Sequence, residues 1–188
     1  MKIYISEERK ISMNIIYKAL TRDDINKLKQ LDRYEVINEK YYYSDGSLAL
    51  KKEYEEIKEF EPDTESWIAS FQNNYDKGGI FFGAFHNERL VGIAALSGER
   101  IGKEKDAIQL DTLFVDKNHR KQGIGAKLVA MLREKAIQLN AKKMYVSSSE
   151  SKNTVNFYMG TGFSVINGRI EELFDEDCLD DIHMEVVL

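Results

Sequence analysis

The stretch of this sequence best suited to chemistry is an apolar strand followed by a basic loop and the start of a helix. It comprises Leu113, Phe114 and Val115, then Arg120, Lys121, Gln122, Gly123, Ile124 and Gly125. The first amide N–H groups of a helix lack intrahelical acceptors and lie at the positive end of the helix dipole, so they can bind an anion. Gly123 and Gly125 would let a phosphate approach the backbone, and Arg120 and Lys121 add positive charge. The segment therefore predicts a phosphate or pyrophosphate site, with a tight turn that merely opens a core helix as the alternative.

Two other phosphate-binding sequences are absent from the chain. No lysine and serine or threonine follow a glycine at the spacing of a P-loop, and Leu128 stands where the dinucleotide fingerprint has its third glycine. The loop must therefore bind its anion in another structural setting.

A carboxylate in the strand before this loop is a candidate general base. Asp111 lies in the apolar run 107–115, and burial would raise the pKa of its carboxyl group towards the range useful for a base. Glu150, at a strand end, an ordered water, and a purely structural Asp111 bonded to a neighbouring loop are the alternatives. Strand alternation predicts one face with Gln109, Asp111, Leu113 and Val115, and another with Ile108, Leu110, Thr112 and Phe114.

The elements that would position these residues form a single α/β domain. Apolar runs predict strands at 14–20, 80–85, 90–96, 107–115, 144–148, 163–166 and 183–188, and periodic segments predict helices at 21–31, 62–78, 123–139 and 154–161. We expect a hairpin at 41–57 and the strands at 80–96 to build the N-terminal half of a mixed sheet with helices on both faces. The longest helix is expected to bury Ile124, Leu128, Met131, Leu132, Ala136 and Leu139.

Composition excludes several classes of protein. The 188 residues suit one domain, with residues 1–12 as a loose extension, and no apolar run is long enough for a membrane span or a secretory signal. The formal charge of −5 argues weakly against nucleic-acid binding. A single cysteine, Cys178, cannot form an internal disulfide, and the three histidines are too dispersed for a metal site. A reducing cytoplasm fits best.

Two segments, which follow each other in the expected order along the chain, resemble motifs of the GCN5-related N-acetyltransferase (GNAT) superfamily. Residues 120–125, RKQGIG, resemble its acyl-CoA loop, R/Q-x-x-G-x-G/A, and the strand that precedes them resembles the family's L-x-V-x-P strand, with Asn118 near the usual proline. Residues 153–163 resemble the segment N-x-x-A-x-x-F-Y-x-x-x-G-F with slightly different spacing, matching it at Asn153, Tyr158 and Gly162-Phe163. The resemblance spans about residues 14–188 and is sharpest over 107–163.

The resemblance implies a binding mode for acetyl-CoA across a sheet that is splayed in its middle. The pantetheine arm would pair with the backbone of the strand before the loop, at Leu113, Phe114 and Val115, and Asn153 would bond this arm or hold the neighbouring loop. The pyrophosphate would contact amides from the loop and the helix start. These are Arg120, Lys121, Gln122, Gly123, Ile124, Gly125 and the adjoining Ala126.

The resemblance also implies direct attack of an amine on the thioester in a ternary complex, without an acyl-enzyme. Tyr158 matches the family's general acid, which faces the sulfur of CoA. Gln109 stands where some members carry a catalytic glutamate and cannot act as a base. Cys178 is not expected to be a nucleophile, because its acidic surroundings would raise the pKa of its thiol.

The acceptor is expected to be a primary amine of a small molecule or peptide, and a cationic amine would suit the carboxylates available to line its site. Candidate lining segments are 32–35, 41–43 and 171–181. A non-catalytic acyl-CoA sensor, a nucleotide-binding module and an O-acyl or longer-acyl transferase remain alternatives, and a homodimer stays open because the strands at 80–96 and the hairpin could form a dimer edge.

Overall fold

Seven strands build the central sheet, and a separate two-stranded hairpin lies beside it. A computed structural model describes residues 14–44, 46–173 and 180–188. The strands are β1 (Ile15–Ala19), β2 (Glu35–Ser44), β3 (Ser47–Ile57), β4 (Ile80–His86), β5 (Arg89–Ile101), β6 (Ala107–Val115), β7 (Lys143–Ser148), β8 (Ser164–Val165) and β9 (Ile182–Val187). The helices are α1 (Thr64–Asp76), α2 (Ile124–Gln138) and α3 (Lys152–Gly160), with short 3-10 helices at Asp23–Gln30, Lys117–His119 and Glu171–Leu173. The extension proposed for residues 1–12 and the position of Cys178 lie outside the described residues.

The sheet has the order β1-β4-β5-β6-β7-β9-β8, and every neighbouring pair is antiparallel except β6 and β7. The parallel pair is joined only over Ala107–Gln109 of β6 and Lys143–Tyr145 of β7. Beyond that point both strands continue without pairing to each other, so the sheet opens into a cleft. The predicted mixed, largely antiparallel and splayed sheet is therefore confirmed.

Helices cover both faces of the sheet, as predicted. One core layer packs α2 and α3 against the sheet, and the other packs α1 and the Asp23–Gln30 helix against the opposite face. The core stripe predicted for α2 is largely correct, since Ile124, Leu128, Leu132 and Ala136 are buried. It is wrong at Leu139, which is 39% exposed because the helix has ended at Gln138.

A bulge in β6 makes the predicted alternation of its side chains wrong. Leu110 pairs with Leu96 and Thr112 pairs with Ala95, so Asp111 is an extra residue without a partner on β5. An extra residue shifts the phase of a strand by one position and turns the following side chains to the other face.

The shift regroups the side chains of β6. Ile108 and Leu110 belong to the core layer beneath α2, and Leu113 and Val115 pack against that same layer. Asp111 instead hydrogen bonds to Asn74 of α1, on the opposite face. The bulge therefore separates Asp111 from Leu113 and Val115, which were predicted to share its face and which lie on the α2 side.

The hairpin of β2 and β3 is confirmed, but its predicted place in the central sheet is wrong. It forms a two-stranded sheet of its own and is linked to the rest of the backbone ladder by a bridge between Lys40 and Ser151. Strand β3 is exposed along most of its length. Its charged side chains on both faces could not be buried in a sheet that helices cover on both sides.

Candidate active site

The start of α2 has the geometry of an anion site. Gly123 caps the helix in the left-handed conformation, with φ of 81°, and a Cβ built at this position would meet no atom within 4 Å. The ladder of α2 begins when the Lys127 amide donates to the Gly123 carbonyl at 3.0 Å. The amides of Ile124, Gly125 and Ala126 therefore have no acceptor inside the helix. The predicted loop and helix start are thus present, at the end of β6 where the cleft opens.

Gly125 has a different role from Gly123. A Cβ at Gly125 would lie 3.2 Å from ring atoms of Phe157 and 3.7 Å from Val115. The absence of a side chain therefore lets α2 pack closely on α3 and on the end of β6. Of the two glycines, Gly123 is the one that faces open space.

Arg120 holds the loop together with its side chain. Its guanidinium donates to the carbonyl of Val115 at 3.0 Å and to the carbonyls of Tyr34 and Arg33 at 3.1 and 2.9 Å. This places the segment 32–35 against the loop 120–125. No residue of the segment lines the cavity described below. The segment 32–35 therefore lies beside the loop and apart from that cavity, and its place in the acceptor site stays a prediction.

Asp116 organises the turn that leads into the loop. It is fully buried and accepts hydrogen bonds from the Asn118 amide at 3.0 Å, the Asp32 amide at 3.1 Å and the His119 ring at 2.9 Å. Burial by itself raises the pKa of this carboxyl group, but these hydrogen bonds and the nearby Arg89 outweigh it and lower the pKa. Asp116 therefore remains a carboxylate that fixes the loop.

Tyr158 lies on the buried face of α3. Its side chain is 5% exposed, and its ring contacts Phe157 and Phe163 with centroid distances of 5.3 and 5.5 Å. Burial raises the pKa of its hydroxyl, so the proton is retained at neutral pH. Among the described residues, this hydroxyl has no hydrogen-bond partner. Its oxygen is not among the fully buried atoms that lack a partner, so it is not completely enclosed by protein. Asn153, the other predicted residue of this segment, lies exposed in the first turn of α3.

Asp111 has the raised pKa that the sequence predicted. One carboxylate oxygen, Oδ2, accepts from the Asn74 amide at 2.9 Å and lies 3.4 Å from the Thr112 hydroxyl. The side chain keeps access to solvent, but surrounding protein desolvates it, and desolvation outweighs the two hydrogen bonds and raises its pKa. Oδ1 has no hydrogen-bond partner among the described residues.

Glu150, the alternative base, is held in an ion pair. The ammonium group of the buried Lys40 lies 2.8 Å from Glu150, 2.8 Å from Glu55 and 3.3 Å from Glu53. Burial disfavours the charged form of Lys40, but the three carboxylates outweigh it and raise its pKa. Because its carboxylate is engaged in joining the hairpin to the end of β7, Glu150 is a weaker candidate than Asp111.

A cavity of about 390 Å³ lies between the hairpin and the loop that joins β8 to β9. It brings together two of the three segments that were predicted to line the acceptor site. Its lining residues are Tyr42, Tyr43, Ile166, Asn167, Gly168, Arg169, Asp180, Asp181 and His183. Aromatic rings and carboxylates therefore share one opening of the size of a small-molecule site.

Of the five lining residues outside the predicted segments, His183 is the one whose side chain can act as a base near neutral pH. Its Nδ1 lies 2.7 Å from the Tyr145 hydroxyl and 3.4 Å from the Ser147 hydroxyl, which donates to Asp181 at 2.7 Å. The three histidines are scattered in the sequence, and only the pairing of β7 with β9 brings these four residues together. The alternation Asp181-Ile182-His183-Met184 was the available signal, since it places Asp181 and His183 on one face of a strand.

Solved structures of several acetyltransferases have the same fold. Nourseothricin acetyltransferase is 16% identical with a TM-score of 0.69, covering 92% of this chain and 98% of its own. PaiA N-acetyltransferase from Thermoplasma acidophilum, in complex with coenzyme A, is 17% identical with a TM-score of 0.62, covering 94% and 100%. A chimera of spermidine N-acetyltransferase SpeG from Vibrio cholerae and hSSAT is 18% identical with a TM-score of 0.57, covering 92% and 95%. No curated protein matches the sequence.

A splayed sheet with a glycine-capped helix start at its opening is thus the acetyltransferase fold. The family model described as Acetyltransferase (GNAT) domain matches residues 48–188. The chain therefore belongs to the GNAT acetyltransferase family, whose activity uses acetyl-CoA. Within the described residues, no helix has the length and apolar character that crossing a membrane requires.

Proposed function

We propose that this protein transfers the acetyl group of acetyl-CoA to a primary amine of a small molecule or peptide by direct attack in a ternary complex. The observation that carries the proposal is the hydroxyl of the buried Tyr158, which keeps its proton and has no hydrogen-bond partner among the described residues, in a fold whose central cleft begins beside the free amides of α2. A protein that only bound acetyl-CoA would not need a proton donor there.

The donor is bound mainly by backbone groups. The pyrophosphate accepts hydrogen bonds from amides between Arg120 and Ala126, and the pantetheine arm pairs with the free edge of β6 over Leu113, Phe114 and Val115. Lys121 adds positive charge from its exposed side chain, and Asn153 bonds the arm near the start of α3. Gln122, Gly123, Ile124 and Gly125 complete this binding loop.

The chemistry requires that two protons leave the acceptor nitrogen, since it arrives as an ammonium and ends as an amide. Attack of the neutral amine on the thioester carbon forms the C–N bond, and collapse of the tetrahedral intermediate breaks the C–S bond. Tyr158 donates a proton to the departing sulfur, and Asp111 takes the proton that the nitrogen loses during attack. One proton thus ends on the thiol of CoA and the other in solvent.

The 390 Å³ cavity is the proposed acceptor site. Carboxylates of Asp180 and Asp181 favour a cationic amine, and the rings of Tyr42 and Tyr43 can contact its ammonium group or its carbon chain. The names of two structural relatives, acetyltransferases of nourseothricin and of spermidine, support amines of this kind as first candidates.

The test is release of CoA from acetyl-CoA in the presence of nourseothricin, spermidine, putrescine, free lysine and a short peptide with a free amino terminus. We expect turnover with at least one cationic amine and a product whose mass rises by one acetyl group. Tight binding of CoA without turnover of any amine would support the acyl-CoA sensor instead. No binding of CoA would contradict the assignment of the loop.

The anion site can be tested separately from catalysis with Ala126, which is exposed in the first turn of α2. Ala126→Glu places a carboxylate beside the proposed pyrophosphate, and we expect the Kd for CoA to rise about 10–100-fold through charge repulsion. A glutamate in the first turn favours the helix dipole, so thermal stability should not fall. Ala126→Gln is the matched neutral control, and equal weakening by both variants would argue against a phosphate at this position.

A further inference from the structure

Tyr145, Ser147, Asp181 and His183 form a polar cluster beneath the cavity. The roles proposed for Tyr158 and Asp111 involve none of these four residues. Tyr145 is the last residue of β7 that pairs with β6, and Ser147 follows two positions later on the same face. The cluster therefore lies where the sheet begins to open. Tyr145 is 2% exposed and its ring stacks on that of His183 with a centroid distance of 6.0 Å.

The hydrogen bonds of the cluster orient the imidazole. The carboxylate of Asp181 can only accept, so the Ser147 hydroxyl donates to it at 2.7 Å. The Ser147 oxygen, at 3.4 Å, is then left to accept from Nδ1 of His183. The Tyr145 hydroxyl, at 2.7 Å, accepts from Nδ1 in the tautomer with hydrogen on Nδ1 and donates to it in the other tautomer. With the hydrogen on Nδ1, the lone pair is on Nε2, which has no hydrogen-bond partner among the described residues.

The charges around His183 keep the ring neutral but able to take a proton. Burial lowers its pKa, the Asp181 carboxylate opposes this, and Arg169 adds to the lowering. The other groups that face the cavity are Asp180 and the hydroxyls of the two tyrosines of β2. A neutral imidazole beside carboxylates can receive a proton from a cation without leaving an uncompensated charge.

We propose that His183 removes the first proton from the acceptor ammonium through Nε2, with Tyr145, Ser147 and Asp181 as positioning residues that hold the hydrogen on Nδ1. This inference rests on the proposed function. The ammonium N–H bond breaks, its electron pair stays on nitrogen, and the imidazole becomes an imidazolium that returns the proton to solvent through the cavity. The neutral amine then attacks the thioester, and Asp111 takes the second proton.

The experiment measures kcat/KM for spermidine across a range of pH in the wild type, His183→Asn and Tyr158→Phe. Near neutral pH we expect His183→Asn to lower kcat/KM about 100-fold, within the usual contribution of a general base. Near pH ~10.5, close to the ordinary pKa of an alkylammonium, about half of the acceptor is already neutral without help from the protein, and the deficit should shrink to about 3-fold or less. Tyr158→Phe acts on the leaving group, so its deficit should persist at both pH values.

Two outcomes would overturn the inference alone. One is a His183→Asn deficit that stays constant with pH, as expected for a purely structural role, and the other is no deficit at all. If another amine of the panel is turned over and spermidine is not, the same three proteins are compared with that amine. Absence of turnover of every amine of the panel by the wild type would instead overturn the acceptor class of the proposed function, and the inference with it.

Nitrogen NMR of the histidine rings gives a second readout that does not need turnover. In the wild type we expect the tautomer with hydrogen on Nδ1 of His183. Ser147→Ala keeps the imidazole but removes its link to Asp181, so the population of the tautomer with hydrogen on Nε2 should increase. The kcat/KM of this variant near neutral pH should fall towards that of His183→Asn. A wild-type ring with its hydrogen on Nε2 would contradict the proposal.

Discussion

Tyr158→Phe lowers kcat for amine acetylation by about 10²–10⁴-fold while the Kd for acetyl-CoA stays close to the wild-type value, if this hydroxyl is the general acid. The change removes one oxygen from a ring that is packed between Phe157 and Phe163, so the helix and the core remain in place. Because burial raises the pKa of the hydroxyl, its proton is available over the whole neutral range. The loss should therefore be similar at every pH from mildly acidic to mildly basic.

The measurement is steady-state thiol release together with calorimetric titration of CoA. Tyr54→Phe is the matched control, since Tyr54 is 68% exposed on the hairpin and its variant should behave as the wild type. A Tyr158→Phe protein with full turnover would exclude the acid role. A variant that loses CoA binding and turnover together would point to a role in packing the cleft.

Asp111→Asn should produce a loss of the same order in kcat, about 10²–10⁴-fold, because an amide keeps the shape of the carboxyl group but cannot accept a proton. It should also remove the acidic limb of the pH–rate profile. The raised pKa of Asp111 means that activity falls as the pH drops through it and the carboxyl group becomes protonated. Asparagine does not titrate there, so the part of the limb that belongs to Asp111 should disappear, and any slope that remains belongs to protonation of His183 and of the acceptor amine.

The same substitution should not destabilise the protein at neutral pH. A carboxyl group whose pKa is higher in the folded than in the unfolded state loses its proton less readily in the folded protein. Its ionisation therefore lowers the free energy of unfolding, and this loss is fully present above the folded pKa. Removing the charge should therefore leave the thermal midpoint equal or higher. Asp76→Asn, which breaks the surface ion pair of Asp76 with Arg22 at 2.8 Å at the end of α1, should instead leave it equal or slightly lower. An unchanged kcat would leave proton removal to another group.

Local patterns were sufficient to predict most of the elements and the geometry of the loop that is proposed to bind the donor. The helix start after β6 and the unsatisfied amides beyond Gly123 depend on residues that are neighbours in the chain, so the motif predicts them directly. The segment around Tyr158 was predicted in the same way. Apolar periodicity located the strands to within a few residues because each strand or helix must bury one face.

The errors came from contacts between residues distant in the chain. The bulge at Asp111 depends on how β5 pairs with β6, and one extra residue reversed the predicted faces of the strand. Glu150 stood at a strand end like a catalytic carboxylate, but Lys40, more than a hundred residues away, neutralises it.

The sequence alone therefore determined that the chain has a glycine-capped helix start with free amides and a tyrosine in the position that matches the family's acid. Tertiary structure alone decided which polar groups are free to act: it engaged Arg120 with backbone carbonyls and joined His183 to Tyr145. The physical reason is that the chemistry of an amide or hydroxyl follows from its own residue, whereas its availability depends on the partners that packing brings within hydrogen-bond distance.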